Sequence, residues 1–518
     1  MDAGRASPSL SRGHPLSADP RPDAERTVPP STARQAGERA LKTTIIRSLG
    51  EIIGKLASLA VFALLARKLG VVHLGTYVFA LVWGEVSMVP VGLGIDRYLL
   101  RRVAADHSTL DGFFFNALAL KVARGVPIVA LSVGVVFVLG FDGERQAAVC
   151  LLTAGMFAET LARTPGSTFN AFERGDLLAA TVVVQRFSAA ALGVAALVAG
   201  YGVVAVSFAY LVGALVRFAF SMRLVERRIR SPARALPRGP RRELRSRSLP
   251  FTAQDLFGLV IARADVLLLS ALATTTVVGV YGAAYRMLEA PGFIGISLFS
   301  AFTAMYTYLG EDTVPTIRSV FERSIKLCLL ALVPIAVMFG MLAEPLCRTL
   351  FGNALASAAA PLRLLAPVVV MLGVVSLTTG LISSRLNPRG LLIGVAGVAV
   401  VNLVLNLALI PPLGAIGAAL AMLVSAAVFV SFTFVLCVRA VGGVDWFSVF
   451  TAPVGAGFAM AAVIVVVGGP LVPAVAAAGL VYLVAYAALE RVVSPGDLDF
   501  AISTVTRRLP RRRSAPAQ

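Results

Sequence analysis

Apolar stretches of about twenty residues follow one another along most of this chain, at about 44–66, 77–99, 113–140, 147–170, 177–199, 202–221, 251–271, 279–308, 324–342, 358–381, 389–410, 414–436, 448–467 and 471–490. Twenty residues of helix rise about 30 Å, the thickness of a bilayer's hydrocarbon core. Composition agrees: 57% of the 518 residues are hydrophobic and only 14% are charged, where a soluble domain carries roughly a quarter charged residues. The expected class is an all-α polytopic membrane protein with about fourteen transmembrane helices.

Charge is distributed unevenly between these stretches. The formal net charge is +19, which in a soluble chain would point to nucleic acid. Between positions 223 and 247 ten arginines stand against two glutamates. With the N-terminus placed in the cytoplasm, the inner connections and the C-terminal tail collect 24 arginines, and the outer connections hold only Arg67, Lys68, Arg145 and Arg348. That asymmetry is the positive-inside rule, and it puts both termini in the cytoplasm. The arginine run is then a determinant of topology and a contact for anionic membrane lipids. It is not expected to bind nucleic acid, because no aromatic residues interleave with it.

Residues 1–43 are rich in Pro, Ser, Arg and Ala and contain no apolar stretch, so they read as a disordered cytoplasmic tail and not as a signal peptide. Cys150, Cys328, Cys347 and Cys437 lie in apolar context without a CxxC pair and read as small core residues. His14, His73 and His107 are too scattered to suggest a metal site. No cofactor is expected.

The chain repeats itself. VVHLGTYVFA after the first stretch and TTVVGVYGAA after the seventh both carry G-x-Y-x-x-A, as Gly75, Tyr77, Ala80 and Gly279, Tyr281, Ala284. Gly202, Ala205 and Ala209 of the sixth stretch align with Gly414, Gly417 and Ala421 of the twelfth. The two spacings are 204 and 212 residues. Six helices per half is an even number, so the halves keep one orientation and form a parallel repeat about an axis along the membrane normal. Small residues at these positions let helices approach closely. The expected organisation is a tail at 1–43, a six-helix lobe at 44–221, a basic cytoplasmic loop at 222–250, a second six-helix lobe at 251–436, two extra helices at 437–490 and a basic tail at 491–518. The lobes are expected to rock against each other around a central cavity. The last two helices, nearly uncharged, are expected to pack outside it.

Three segments carry a family resemblance: ARKLGVVHLGTYVFALVWGEVSMVPVGLGIDRYLLRR at 66–102, ARADVLLLSALATTTVVGVYGAAYRMLEAP at 262–291, and NPRGLLIGVAGVAVVNLVLNLALIPPLGAIGAALAMLVS at 387–425. On these the chain resembles the polysaccharide (O-antigen-type) flippases of the multidrug/oligosaccharidyl-lipid/polysaccharide exporter superfamily. The resemblance covers roughly 44–490 and rests on Gly70, Gly75, Tyr77, Gly92, Gly94, Arg97, Asn402, Asn406, Pro411, Gly414 and Gly417. It implies a bacterial-type cytoplasmic membrane and movement of a lipid diphosphate-linked oligosaccharide from the inner to the outer leaflet. One departure concerns the eighth stretch, where FTAMYTYLG stands in place of a family proline and leaves the bend there open.

A cargo with a diphosphate head cannot cross hydrocarbon bare, so charges deep inside helices are candidate cavity residues. At 1.5 Å per residue, Arg124, Arg186 and Arg263 fall roughly 13–18 Å from the inner ends of their helices, and Arg286 roughly 10 Å from an outer end. The guanidinium fork suits phosphate. At least two of the four are expected to face the cavity. Glu85, Glu159, Asp265 and Glu289 lie at similar depth. By helical spacing Glu51/Lys55 and Glu159/Arg163 face each other, Arg286/Glu289 are placed to pair, and Arg263/Asp265 are not. Arg217 reads as snorkelling to the interface. Asn402 and Asn406 either line the cavity or join two helices. No nucleotide-binding loop accompanies the helices, so transport must draw on a gradient; Glu85 and Glu289 are the candidates to carry a proton or respond to sodium. Two alternatives stay open. One is a related exporter of another cargo, a peptidoglycan lipid precursor or a small cation, though a cation would favour an acidic cavity. The other is a membrane-embedded polysaccharide enzyme, which should carry catalytic groups in a sizeable loop outside the membrane; no interspan loop here does.

Overall fold

The computed structural model describes residues 30–233, 236–308, 314–385, 388–467 and 470–493, and every regular element among them is a helix. The first, α1 (Pro30–Ser87), runs for 58 residues with one sharp joint at Gly70, where φ is 84° and ψ 179°. No atom lies within 4 Å of where a Cβ would be at Gly70, so it is the backbone conformation that calls for glycine there. The expected tail is corrected in part: positions 30–43 belong to α1, because ARQAGERALK is built almost entirely of strong helix formers. Residues 1–29 lie outside the described residues.

The second expected stretch is also interrupted. After Ser87 comes a single turn, α2 (Val89–Gly92), with Pro90 in its first positions. Leu93 and Gly94 then take positive φ, 36° and 68°, before α3 (Ile95–Ala105). The first half continues with α4 (Leu110–Val138), α5 (Gly143–Ala171), α6 (Gly175–Val198) and α7 (Val203–Leu224). The basic segment is not an open loop. It holds a five-residue turn at Val225–Ile229 and then α8 (Arg238–Arg247). Leu244 is fully buried, the Tyr98 hydroxyl donates to Glu243, and the Asn116 amide donates to the Pro237 carbonyl at 3.1 Å. The one acid of α8 therefore points inward while Arg238, Arg241, Arg242, Arg245 and Arg247 stay exposed. Docking on α3 and α4 gives an arginine-rich segment, itself a fair helix former, the partner it needs to fold.

The second half comprises α9 (Leu249–Leu272), α10 (Thr275–Glu289), α11 (Gly292–Tyr308), α12 (Val314–Met341), α13 (Ala343–Phe351), α14 (Ala359–Arg385), α15 (Pro388–Leu413) and α16 (Ala415–Ala440), followed by α17 (Trp446–Val467) and α18 (Leu471–Val493). The eighth stretch is divided at Ala290 and Pro291, where the ring nitrogen cannot donate to the helix ladder. Its break thus falls upstream of FTAMYTYLG, whose last two residues lie outside the described residues.

Among the described residues, ten helices are long and apolar enough to cross a membrane. The shortfall from fourteen has physical causes. The first two stretches share α1, the eighth is split between α10 and α11, and α5 and α9 carry Glu159, Arg163, Arg263 and Asp265 along their length.

Packing order repeats between the halves. In the first, α6 lies on α1 and α7, α7 on α5, and α5 on α4 and α1. In the second, α15 lies on α9 and α16, α16 on α14, and α14 on α12, α10 and α11. The halves meet where α1 passes α9 and α10, while α17 and α18 pair with each other and α17 rests on α12. The last helices are not free of charge at their contact: Lys326 of α12 and Glu490 of α18 form a buried pair at 2.7 Å.

Candidate functional site

A cavity of about 650 Å³ lies between the two halves, lined mainly by α1, α5, α6, α7, α9 and α10, with Gly292 and Ile296 of α11 and Leu372 of α14 completing the wall. Its charged lining comprises Lys55, Arg163, Arg186, Arg217, Arg263 and Arg286 against Glu85, Glu159 and Glu289. Six cations face three carboxylates, and their pairing decides which charge remains available.

Two clusters absorb the acids. At the seam between halves, Arg263 of α9 binds Glu85 of α1 at 2.9 Å and Glu289 of α10 at 2.8 Å. Glu289 also holds Arg286, one helical turn back, at 3.1 Å, and Arg286 donates to Ser58 of α1. The Lys55 ammonium donates to the Glu289 carbonyl at 3.0 Å. Three bonds thus cross from α1 to the second half. Pro291 ends α10 just beyond Glu289, which leaves that carbonyl without a helical partner and open to Lys55. The second cluster ties α5, α6 and α7 together. Glu159 accepts from Tyr210 at 2.7 Å and from Gln185 at 3.0 Å. Arg217 donates to the Gln185 side-chain Oε1 at 2.8 Å and stands 3.6 Å from Glu159. Charges taken out of water survive only when paired and hydrogen-bonded in this way.

Arg163 and Arg186 are left over. Both line the cavity, and among the described residues neither makes an ion pair or a hydrogen bond. The charges of Glu159, Asp96 and Glu85 reach Arg163 only from beyond ion-pair distance. A second cavity of about 540 Å³ shares Glu85, Met156, Arg163 and Arg217 with the first and extends to Asp96, Arg97 and Asn170. The polar volume therefore runs toward the helix ends that carry Arg101, Arg102 and Arg174.

Of the residues expected at the site, Arg186, Arg263, Arg286, Glu85, Glu159 and Glu289 come together around the cavity. Four others do not line it. Arg124 is half-buried on α4, within reach of the like charge of Arg245 on α8. Asp265 is buried and accepts from the Tyr281 hydroxyl and the Val266 amide, turned away from Arg263 as the spacing required. Asn402 donates to Ser425 at 3.2 Å and Asn406 to Asn402 at 3.1 Å, so this pair joins α15 to α16. Arg217 corrects the expectation of snorkelling: it is buried, because its partner Glu159 lies inside the bundle on another helix. The spacing pair Glu159/Arg163 does not form an ion pair for the same reason. The Glu51 side chain lies outside the described residues. Gln185, Tyr210 and Ser58 were not expected; as neutral residues in apolar helices they gave no signal of depth or charge. Among the described residues, no cluster of three His, Cys, Asp or Glu side chains is placed to hold a metal.

Comparison with known proteins agrees with this geometry. Among solved structures the fold matches the lipid II flippase MurJ in an inward closed conformation, at 14% identity and a TM-score of 0.67, covering 86% of this chain and 99% of that one. It matches an inward-facing multidrug resistance MATE family transporter of the MOP superfamily at 18% identity and a TM-score of 0.64, covering 77% and 98%. It also matches a MOP superfamily transporter from Pyrococcus furiosus, described as having a binding pocket of reverse polarity that suggests a different function, at 16% identity and a TM-score of 0.58, covering 78% and 95%. At these identities the likeness is one of fold. A search of curated proteins found no match. The model of one protein family matches residues 40–307, just over half of the chain and the region that contains every charged residue lining the cavity. The chain is a multi-pass membrane protein with the fold of the MOP-superfamily transporters, and it belongs to the polysaccharide biosynthesis protein family.

Proposed function

We propose that this protein is a flippase: it moves a lipid diphosphate-linked oligosaccharide from the inner to the outer leaflet of a bacterial-type cytoplasmic membrane by alternating access. The observation that carries the reading is the sign of the cavity. Six basic side chains meet three acids, and Arg163 and Arg186 have no acid of their own. An anionic head group entering there supplies the missing counter-charge, and the guanidinium forks match phosphate oxygens. Tyr77 on the same wall offers a hydrogen bond to a glycan. Both termini are assigned to the cytoplasm, and the exposed arginines of α8 to contact with anionic lipids of that leaflet. The cavity leads toward this side, where the cargo is made. Glu85 and Glu289, which hold Arg263, are the groups through which a proton or sodium gradient would drive the cycle.

A lipid-linked peptidoglycan precursor is the second reading, favoured by the fold likeness to a lipid II flippase. It shares the diphosphate and differs in the sugar. A small-cation exporter is disfavoured by the basic lining, and an enzyme by the fold of transporters. The test is a leaflet assay in vesicles containing only this protein and one lipid-linked saccharide at a time. Protein-dependent transfer of a polysaccharide precursor, lost in Arg163→Ala and Arg186→Ala, is the expected result. Transfer confined to the peptidoglycan precursor would select the second reading. Transfer of neither would remove both. Orientation has its own check: in intact cells an impermeant thiol reagent should label Ala354→Cys and leave Ser246→Cys untouched.

A further inference from the structure

At the end of the molecule away from the arginine-rich connections, α1 and α10 meet backbone to backbone. A Cβ built at Gly75 would fall 2.1 Å from the Thr275 carbonyl oxygen, and one at Gly279 would fall 2.3 Å from the Val71 carbonyl oxygen. No side chain fits at such distances. The two contacts are equivalent, since each joins the glycine of one repeat motif to the residue four positions before the glycine of the other. Packing about a local two-fold between the halves produces this pattern. Close beside it Arg67, at the end of α1's first limb, crosses to α13. Its Nε donates to the Leu350 carbonyl at 2.9 Å and a terminal nitrogen donates to the Thr349 carbonyl. These are last-turn carbonyls without helical partners, and a cation there also meets the negative end of the helix dipole. Arg67 is one of the few basic residues that the expected topology leaves outside, and this cap across the halves accounts for its presence.

We propose that this seam is the outer gate of the transporter. The paired glycines set how closely the halves shut, and Arg67 latches them. The gate must part for the cavity to face the outer leaflet and must reseal for it to face the inner one. The inference rests on the alternating-access part of the proposed function and not on the cargo.

Distance measurement by pulsed electron resonance tests it, on the full chain in lipid, with the four native cysteines replaced by alanine and spin labels at Ala199→Cys and Ala354→Cys. Both positions are exposed, one on each half, at the gated end. No cargo is added, so a failed gate and a failed cargo assignment give separate results. Gly75→Ala and Gly279→Ala should each move the main distance to longer values, by similar amounts because the contacts are equivalent. Arg67→Ala should raise a longer-distance population several-fold, and Arg67→Lys should raise it less, since an ammonium can still cap one carbonyl. Folded glycine variants with the native distance would overturn the glycine seam, and an unchanged Arg67→Ala would overturn the latch. If the glycine variants do not fold, Arg67→Ala alone decides whether a gate lies here.

Discussion

In the first lobe the fourth, fifth and sixth helices of the repeat are joined by Glu159, Gln185 and Arg217. In the second lobe the same three positions in packing order are joined by neutral groups: Thr378 bonds Thr433 at 2.9 Å, and Asn402 bonds Ser425 at 3.2 Å. Both sets cross-link the fourth helix to the sixth and the fifth to the sixth, and the first also ties the fourth to the fifth. The first borders the cavity and the second is fully buried. Where water or a polar cargo can reach, a charged cross-link is tolerable and can serve binding. Where it cannot, hydroxyls and amides do the same mechanical work without the penalty of burying ions. The repeat therefore preserves which helices touch, and position relative to the cavity decides the chemistry of the touch.

That contrast can be broken in order of effect. Arg163→Ala and Arg186→Ala should abolish flipping per folded molecule while leaving the folded amount unchanged, and Lys at either position should restore part of it. Loss of folded protein instead would make them structural. Glu159→Ala should be the most destabilising change at the cross-links, about 3 kcal/mol by analogy with broken buried pairs, read as a lower unfolding temperature in detergent. Adding Arg217→Met should recover much of it, because the stranded cation is then gone. In the second lobe, Thr378→Ala and Asn402→Ala should each cost only about 0.6–1.7 kcal/mol, the range for hydrogen bonds between membrane helices, with flipping intact. If Thr378→Ala abolished flipping at normal stability, the division between a binding lobe and a neutral lobe would fail. Tyr98→Phe should have the smallest effect. It removes the bond to Glu243, and is measured as faster proteolysis of the α8 segment with transport rate unchanged.

Much of the fold is legible from length and charge, since a helix long enough for a bilayer and an uneven spread of arginine between the connections are both properties of one dimension. The motif around Gly75 and Gly279 is equally visible as a repeat. What cannot be read from it is that the two copies press against each other, because the sequence does not say which helices adjoin. The site fails in the same way. Arg286/Glu289 pair as their spacing predicts, being neighbours on one turn. Arg217 was assigned to the interface by its distance from a helix end, yet its carboxylate partner lies 58 positions earlier in sequence, on α5. That same carboxylate is what Arg163 lacks. A local partner in the sequence concealed a free cation in the fold.

The long helix α1 carries contacts for both tasks. Lys55 and Ser58 on its first limb and Glu85 on its second reach the cavity, and Gly75 between them meets the opposite lobe. No loop separates these positions; the one departure from helical backbone along this stretch is Gly70. Connections elsewhere can absorb an added residue at small cost. An insertion between positions 76 and 84 has no such refuge. It would rotate all that follows by about 100°, swinging Glu85 off Arg263 while Gly75 kept its place. Between Gly75 and Glu85, therefore, the number of residues is fixed even where their identity is not.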